Sequence, residues 1–485
     1  MFKKVKEIFS DSIFYGLSTI VGQLAGLVLV PFFTKELNPS DYGLLNMVTL
    51  IVVFLSPVAG LAMDTALFRF FSMEEDEEDK KAYFTTASIV KTSVVFAIAL
   101  LLLPFYGLIN SNLFEGQLTK SVFYLILGSF VVDNFSSLSA VVLRSQRKVK
   151  LIAINSILYV LASITVSVFF VLILHWGVFG SLLGGVVAGV FKMFLYIRVN
   201  SGSFVFNKFD LNKAIALLSY SLPLVPHKIQ GNIIGLFTTF MVNQKLGLVF
   251  SGYYAVASKV AKPLVFVVTM VQQSWTPYKF HIHKTDEHPA KSFSEVIAFY
   301  WVFLTFLWVL LSLATPTLFK VLIDERYVSG ITYVPFIMFI SVAQAIYFTI
   351  TTGFELKKDQ KKMVLASFLG MLFLVSFSLL TINVFAPYSF FVGQALSFLV
   401  LAAVIFPDAR KIIVIDYPIL KTLVYLLAGA LIIGVSYYIN SQFVYLISIL
   451  VLVLVTIAQF KWIFPHYPLT LLCNLFKSKF GLKVK

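Results

Sequence analysis

LLSYSLPLVPHKIQGNIIGLFTTFMV (Leu217–Val242) and FSGYYAVASKVAKPLVFVVTMV (Phe250–Val271) read as two apolar spans joined by a short turn. They carry charge at a depth where a bilayer cannot hydrate it. At 1.5 Å rise per residue, Lys228 lies ~21 Å from the start of its span, taken at residue 214, and Lys259 ~14 Å into the next. Both depths are near the middle of a hydrocarbon layer ~30 Å thick. Lys262 follows Lys259 by three residues and so shares its helix face. A central lysine costs ~2.5–3.5 kcal/mol on insertion scales, so three cost ~8–10 kcal/mol, comparable to a whole protein's net stability. Such charges persist only against a partner or a water-filled cavity. Pro223 and Pro226 interrupt the first span, and each removes a backbone hydrogen bond, so they bend it or serve as a hinge.

Composition sets the class. Hydrophobic residues make up 59% of the 485 and charged residues 13%, with a mean hydropathy of +0.91. That balance excludes a soluble domain and indicates an all-α polytopic membrane protein. The single Cys473 excludes an internal disulfide. The net charge of +15 sits in short runs between apolar spans, a topology signal facing an anionic leaflet rather than a nucleic-acid surface. The N-terminal apolar run continues for about twenty residues without a small-x-small cleavage site, which predicts a retained first helix.

Length and hydropathy predict fourteen spans: 12–33, 44–68, 83–109, 120–143, 151–174, 176–197, 214–242, 250–272, 293–319, 331–354, 363–383, 388–407, 418–438 and 443–463. An even number puts both termini on one side. With that side cytoplasmic, and with lysines at span ends counted to the side they border, 28 of the 38 Lys and Arg fall on inner segments, five on outer ones and five at least four residues inside a span (Lys91, Lys192, Lys228, Lys259 and Lys262). Lys91 and Lys192 lie close enough to the inner ends to snorkel. No outer loop is longer than about a dozen residues, which leaves no room for a catalytic domain. The one dense charge run, Glu74–Asp79, reads as a solvated inner loop or as a latch onto a neighbouring basic loop. His281, His283 and His288 have poor spacing for a metal site, so none is predicted.

A weak repeat occurs at an offset of 209 residues. LNPSDYGL (Leu37–Leu44) aligns with LGLVFSGY (Leu246–Tyr253), both outward turns that open an apolar helix. The repeat predicts two pseudo-symmetric six-helix lobes, 1–200 and 201–410, with 411–485 supplying two further helices and a basic tail. Duplicated lobes are a transporter architecture.

Four stretches carry a family resemblance: PFFTKELNPSDYGLLNMV (Pro31–Val48), GLAMDTALFRFFS (Gly60–Ser72), GYYAVASKVAKPL (Gly252–Leu264) and GFELKKDQKK (Gly353–Lys362). They resemble bacterial Wzx-type oligosaccharide flippases of the multidrug/oligosaccharidyl-lipid/polysaccharide exporter superfamily. The resemblance implies movement of a polyprenyl-diphosphate-linked oligosaccharide across the inner membrane by alternating access, for O-antigen, capsule or exopolysaccharide synthesis. It implies no enzymatic step and no cofactor beyond H+ or Na+ coupling. Membrane lipids and polysaccharide polymerase machinery are the implied partners. Lipid II flippases of the superfamily also have fourteen helices but carry arginines in the first; here the first span has only Gln23 as a strong polar residue. A lipid II or teichoic-acid precursor flippase, a cation-coupled drug antiporter, and a membrane polysaccharide polymerase or ligase are the competing readings.

The charge balance bears on cargo independently. At least four residues inside the span ends lie five lysines and two acids, Asp64 and Asp133, a balance that attracts a diphosphate and repels organic cations. Lys228, Lys259 and Lys262 are the candidate substrate-binding cations. Arg69, at the inner end of the second span, resembles the family's arginine at that place and is a candidate for the cavity mouth. Asp64 and Asp133 are candidates for ion coupling or for charge partners of a lysine.

Overall fold

The structure is a computed structural model; it describes residues 26–146, 148–200, 205–357 and 361–465, without the side chains at 149, 226–234, 276–277, 281, 284, 357, 361 and 364. The described chain is helical throughout. Its principal elements are α1 (Val30–Glu36), α2 (Pro39–Ala59), α3 (Met63–Met73), α4 (Glu77–Leu102) and α5 (Lys120–Ser145). Next come α6 (Val149–Val168), α7 (Gly177–Asn200), α8 (Leu211–Ser221) and α9 (Val225–Thr285). The rest are α10 (Pro289–Leu322), α11 (Val334–Ile350), α12 (Lys361–Phe385), α13 (Tyr388–Ile412), α14 (Ile419–Ile439) and α15 (Gln442–Ile463).

Twelve helices among the described residues are long and apolar enough to cross a membrane. Two features account for the difference from fourteen. The first predicted span lies largely outside the described residues, Gln23 with it. The seventh and eighth run together through α9, although the chain turns at Gly247 (φ 84°, ψ 173°), a left-handed position that suits glycine. The second predicted span is not one helix. It breaks between α2 and α3, where Leu61 and Ala62 both take positive φ (51° and 49°) just after Pro57.

Local chemistry explains where helices begin. Asn38 caps α2 by accepting from the Asp41 backbone N–H at 2.9 Å, while Asp41 accepts from the Asn38 N–H at 3.3 Å; Pro39 occupies the first turn, where no donor is needed. Asp76 and Thr119 cap α4 and α5 in the same way.

Contacts divide the chain into two units: Met1–Val260 with Phe319–Gly330, and Ala261–Leu318 with Ile331–Lys485. The core of the first is apolar packing between α2, α4, α5 and the Leu248 region of α9, around Met47, Val95, Phe123 and Phe130. In the second, indole N–H groups are satisfied across helices: Trp301 donates to Thr349 Oγ1 (3.0 Å), Trp275 to Thr352 Oγ1 (3.0 Å) and Trp308 to the Pro335 carbonyl (2.8 Å). The two last helices are docked on this unit rather than loose. Tyr437 donates to the Ser312 carbonyl at 2.9 Å, and Gly429 lets α14 approach Val309.

Small residues set the closest approaches, as expected where lipid supplies no hydrophobic drive between helices. A Cβ on Gly184 would stand 2.6 Å from Ser167 Oγ and 2.8 Å from its Cα, whereas one on Gly185 would meet nothing within 4 Å. Gly184→Ala is expected to destabilise the protein by about 1–3 kcal/mol and Gly185→Ala to leave it unchanged, read from thermal midpoints in lipid nanodiscs.

Candidate functional site: charges within the spans

The break in the second span builds a polar pocket in the first unit. A cavity of about 400 Å³ is lined by residues of α2–α5 that include Ser56, Gly60, Asp64, Lys91, Asp133, Asn134 and Ser137. Asp64 sits in the first turn of α3, where the helix dipole favours a carboxylate. Lys91 donates to Asp64 Oδ1 at 2.9 Å and to Ser137 Oγ at 2.5 Å. Depth predicts snorkelling for Lys91; instead it is 2% exposed, because Asp64 meets it from the neighbouring helix. Gly60 makes room for it: a Cβ there would stand 3.2 Å from Lys91 Cε. Asp133 lies 3.7 Å from Lys192, whose ammonium also sits 4.9 Å from the Tyr159 ring centroid. Both intramembrane aspartates therefore face a lysine.

The three candidate cations fare differently. Lys259 donates to Tyr42 Oη at 2.8 Å and lies 4.8 Å from that ring's centroid. Lys262 is partly buried and interacts with its surroundings. The side chain of Lys228 lies outside the described residues, as does that of Pro226. Pro223 stands in the short turn between α8 and α9. Arg69 is exposed and stacks on Tyr220 at 4.5 Å.

Two features escaped the sequence reading, the partners of Lys279 and of Lys259, and a choice it left open, that of the acidic run, is decided in favour of the latch. Lys279, fully buried, pairs with Glu355, whose other carboxylate oxygen accepts from Thr351 at 3.0 Å. Both residues lie at predicted inner ends, so matched depth was the available signal. The acidic run is latched. Glu78 pairs with Lys208 and Asp79 with Lys213 (2.8 Å), and the backbone N–H groups of Val205 and Asp210 donate to the buried hydroxyls of Thr85 and Thr86. Burial opposes the charge on Lys213, but Asp79 outweighs it and raises the lysine's pKa. Finally, the partner of Lys259 is an aromatic 217 residues away, which no local pattern reveals. Among the described residues no group of three or more His, Cys, Asp or Glu side chains gathers as a metal site.

A second cavity, of about 510 Å³, lies in the second unit and is almost wholly apolar, with Trp308, Phe336, Leu399 and Leu427 among its walls. It can accept hydrocarbon but offers no charge.

These features define a polytopic helical membrane protein. The model of the family described as "Polysaccharide biosynthesis protein" matches residues 8–283, more than half of the sequence, and the chain belongs to that family. No functionally curated protein matches it in sequence. Its fold is similar to that of the lipid II flippase MurJ in an inward closed conformation, at 14% identity and a TM-score of 0.68, covering 94% of this chain and 99% of that one. It is also similar to an inward-facing multidrug resistance MATE family transporter of the MOP superfamily (13% identity, TM-score 0.65, covering 81% and 94%). A third, the MATE multidrug transporter DinF-BH, gives 15% identity and a TM-score of 0.59, covering 85% and 97%.

The Asp64–Lys91 pair makes an asymmetric prediction. The Lys91 side chain is 3% exposed and that of Asp64 38%. Asp64→Asn strands a buried ammonium and is expected to cost about 3 kcal/mol, whereas Lys91→Met leaves a carboxylate that water can reach and is expected to cost about half of that. Denaturation midpoints in nanodiscs measure both, and the reverse order would contradict the burial seen here.

Proposed function

We propose that the protein is a flippase that moves a polyprenyl-diphosphate-linked oligosaccharide from the inner to the outer leaflet of the bacterial cytoplasmic membrane, with both termini cytoplasmic and no covalent step. The family membership supports a role in polysaccharide synthesis, and the fold supports transport. The observation that selects an anionic cargo is the charge balance inside the spans, five lysines against two aspartates. Asp64 and Asp133 are each engaged by a lysine, Lys91 and Lys192, and Lys228, Lys259 and Lys262 add three positive charges beyond those two pairs. A drug antiporter that takes organic cations needs the opposite balance.

In this reading the diphosphate engages the three further lysines. An ammonium is a compact point charge, suited to an anion that must be released again. The sugars occupy hydrated space, and the polyprenyl chain stays in the lipid phase. The two repeats, 1–200 and 201–410, alternate access, and the lipid-linked product passes to polymerase machinery on the outer face. Coupling to H+ or Na+ through Asp64 or Asp133 requires that Lys91 or Lys192 first be displaced. Lipid II and teichoic-acid precursors share the diphosphate chemistry and differ in mass.

Native mass spectrometry of the gently solubilised protein tests this against a Lys228/Lys259/Lys262→Ala variant. The wild type is expected to carry a polyprenyl-diphosphate glycan, its mass separating oligosaccharide from peptidoglycan precursor, and the folded variant to lose it. Retention of the lipid by the variant would remove the lysines from the site. Absence of any such lipid, with an added organic cation bound instead, would replace the flippase by an antiporter.

A further inference from the structure

The two turns that align at an offset of 209 residues touch each other. A Cβ on Gly43 would lie 1.9 Å from the Leu248 carbonyl oxygen, and one on Gly252 would lie 1.9 Å from the Pro39 carbonyl oxygen. Pro39 and Leu248 are separated by the same 209 residues as Gly43 and Gly252. The contact is thus reciprocal, as across a two-fold axis: each turn presents its carbonyl to the other's glycine. Only glycine permits so close a backbone approach, while the Leu248 side chain beside it packs into the core with Leu44 and Met47.

Around this crossing sits a small aromatic cluster. Tyr42, 2% exposed, meets Tyr327 edge-on (5.7 Å, 76°), and Tyr327 meets Tyr253 (6.3 Å, 83°). Tyr327 donates to the Leu37 carbonyl at 3.0 Å. Beside Tyr327, the Arg326 guanidinium donates to the Thr34 carbonyl (3.0 Å) and holds the Asp324 carboxyl below its usual range. Lys259 reaches up from two turns below Gly252 to the Tyr42 hydroxyl.

Two observations mark this seam, which adjoins the apolar core of the first unit. The first is its unpaired polar atoms. Asn46 Nδ2, Asn243 Oδ1 and Ser251 Oγ are buried without a hydrogen-bond partner, on the two elements that cross. Such atoms would gain water if the helices parted. The second is the partner of Lys259. Lys91, Lys192 and Lys279 each face a carboxylate, whereas Lys259 has only a neutral phenol and, among the described residues, no carboxylate within 4.0 Å.

We propose that the Gly43–Gly252 crossing is the outer gate, that Lys259 on Tyr42 latches it, and that an anionic diphosphate headgroup opens it by drawing Lys259 away. This rests on the flippase reading for the identity of the anion, but not for the latch. A charge-assisted hydrogen bond to phosphate is roughly twice as strong as one between neutral groups, and it brings a countercharge that a phenol lacks. Once Lys259 turns to the headgroup, the Tyr42 hydroxyl joins the unpaired atoms of the seam. Cargo engagement and outward opening then share one side chain, so an empty transporter stays shut.

The test is spin-label distance measurement on the full-length protein in nanodiscs, with labels at Lys35→Cys and Val249→Cys in a Cys473→Ser background. Both label sites are exposed and flank the crossing. Without ligand, Tyr42→Phe is expected to raise the open population by roughly five- to thirtyfold. Gly252→Val, whose side chain cannot fit, is expected to stay open under all conditions, and a melting curve checks that each variant folds. Farnesyl diphosphate as probe is expected to open the wild type and leave Lys259→Met unmoved; farnesol is expected to open neither. A Tyr42→Phe distribution identical to wild type would overturn the latch, whatever the ligand does. Equal opening of wild type and Lys259→Met by farnesyl diphosphate would overturn the role of Lys259 in sensing cargo and leave the flippase standing. Opening by an organic cation but not by farnesyl diphosphate would overturn the anionic trigger together with the flippase reading, even where Tyr42→Phe shows the latch to be real.

Discussion

A bilayer does not solvate an isolated charge, and most of what is distinctive in this structure answers that constraint. Asp64 and Lys91 solve it by mutual pairing at the start of a half-helix, with Ser137 as a third partner. Asp133 and Lys192 solve it at longer range, helped by the face of Tyr159. Lys279 and Glu355 solve it at the predicted inner end of α9. Lys259 differs from these three: the Tyr42 phenol gives it a hydrogen bond and a π-face but no negative charge. Retaining a cation at that cost makes sense where an anion visits.

The backbone follows the same logic. The second predicted span stops at Ala59 and restarts at Met63, and Gly60 and Ala62 at the break line the pocket that holds Lys91 and Asp64. Irregular backbone at membrane depth is tolerated only where it is buried in protein or lines a cavity. The reciprocal glycines serve a different end. They bring two helix starts into backbone contact, each carbonyl against the other's glycine.

The helical class and most span positions were legible from hydropathy and from the distribution of Lys and Arg, because burial in lipid leaves a compositional mark about twenty residues long. The break at Gly60–Ala62 was not, since Leu61 and Ala62 are ordinary helix formers and only Pro57 hinted at it. The pairing of Lys91 was hidden because depth was counted along one helix at a time, while Asp64 comes from its neighbour. The repeat was visible as two glycine-ended turns, yet their contact was not, because an alignment of two segments says nothing about whether they touch. Lys259 stood out by depth alone, but its partner is far away in sequence and carries no charge to mark it.

The account stands on one claim, that an anionic lipid crosses the membrane through a protein whose central cations outnumber its acids. A dye-labelled polyprenyl-diphosphate disaccharide in proteoliposomes, with dithionite quenching of the outer leaflet, measures that crossing directly. The account predicts protein-dependent movement that falls sharply in a folded Lys259→Met variant. Unchanged movement in that variant would contradict the role given to Lys259, and no movement of the labelled lipid by wild type, alongside uptake of an organic cation, would contradict the claim itself.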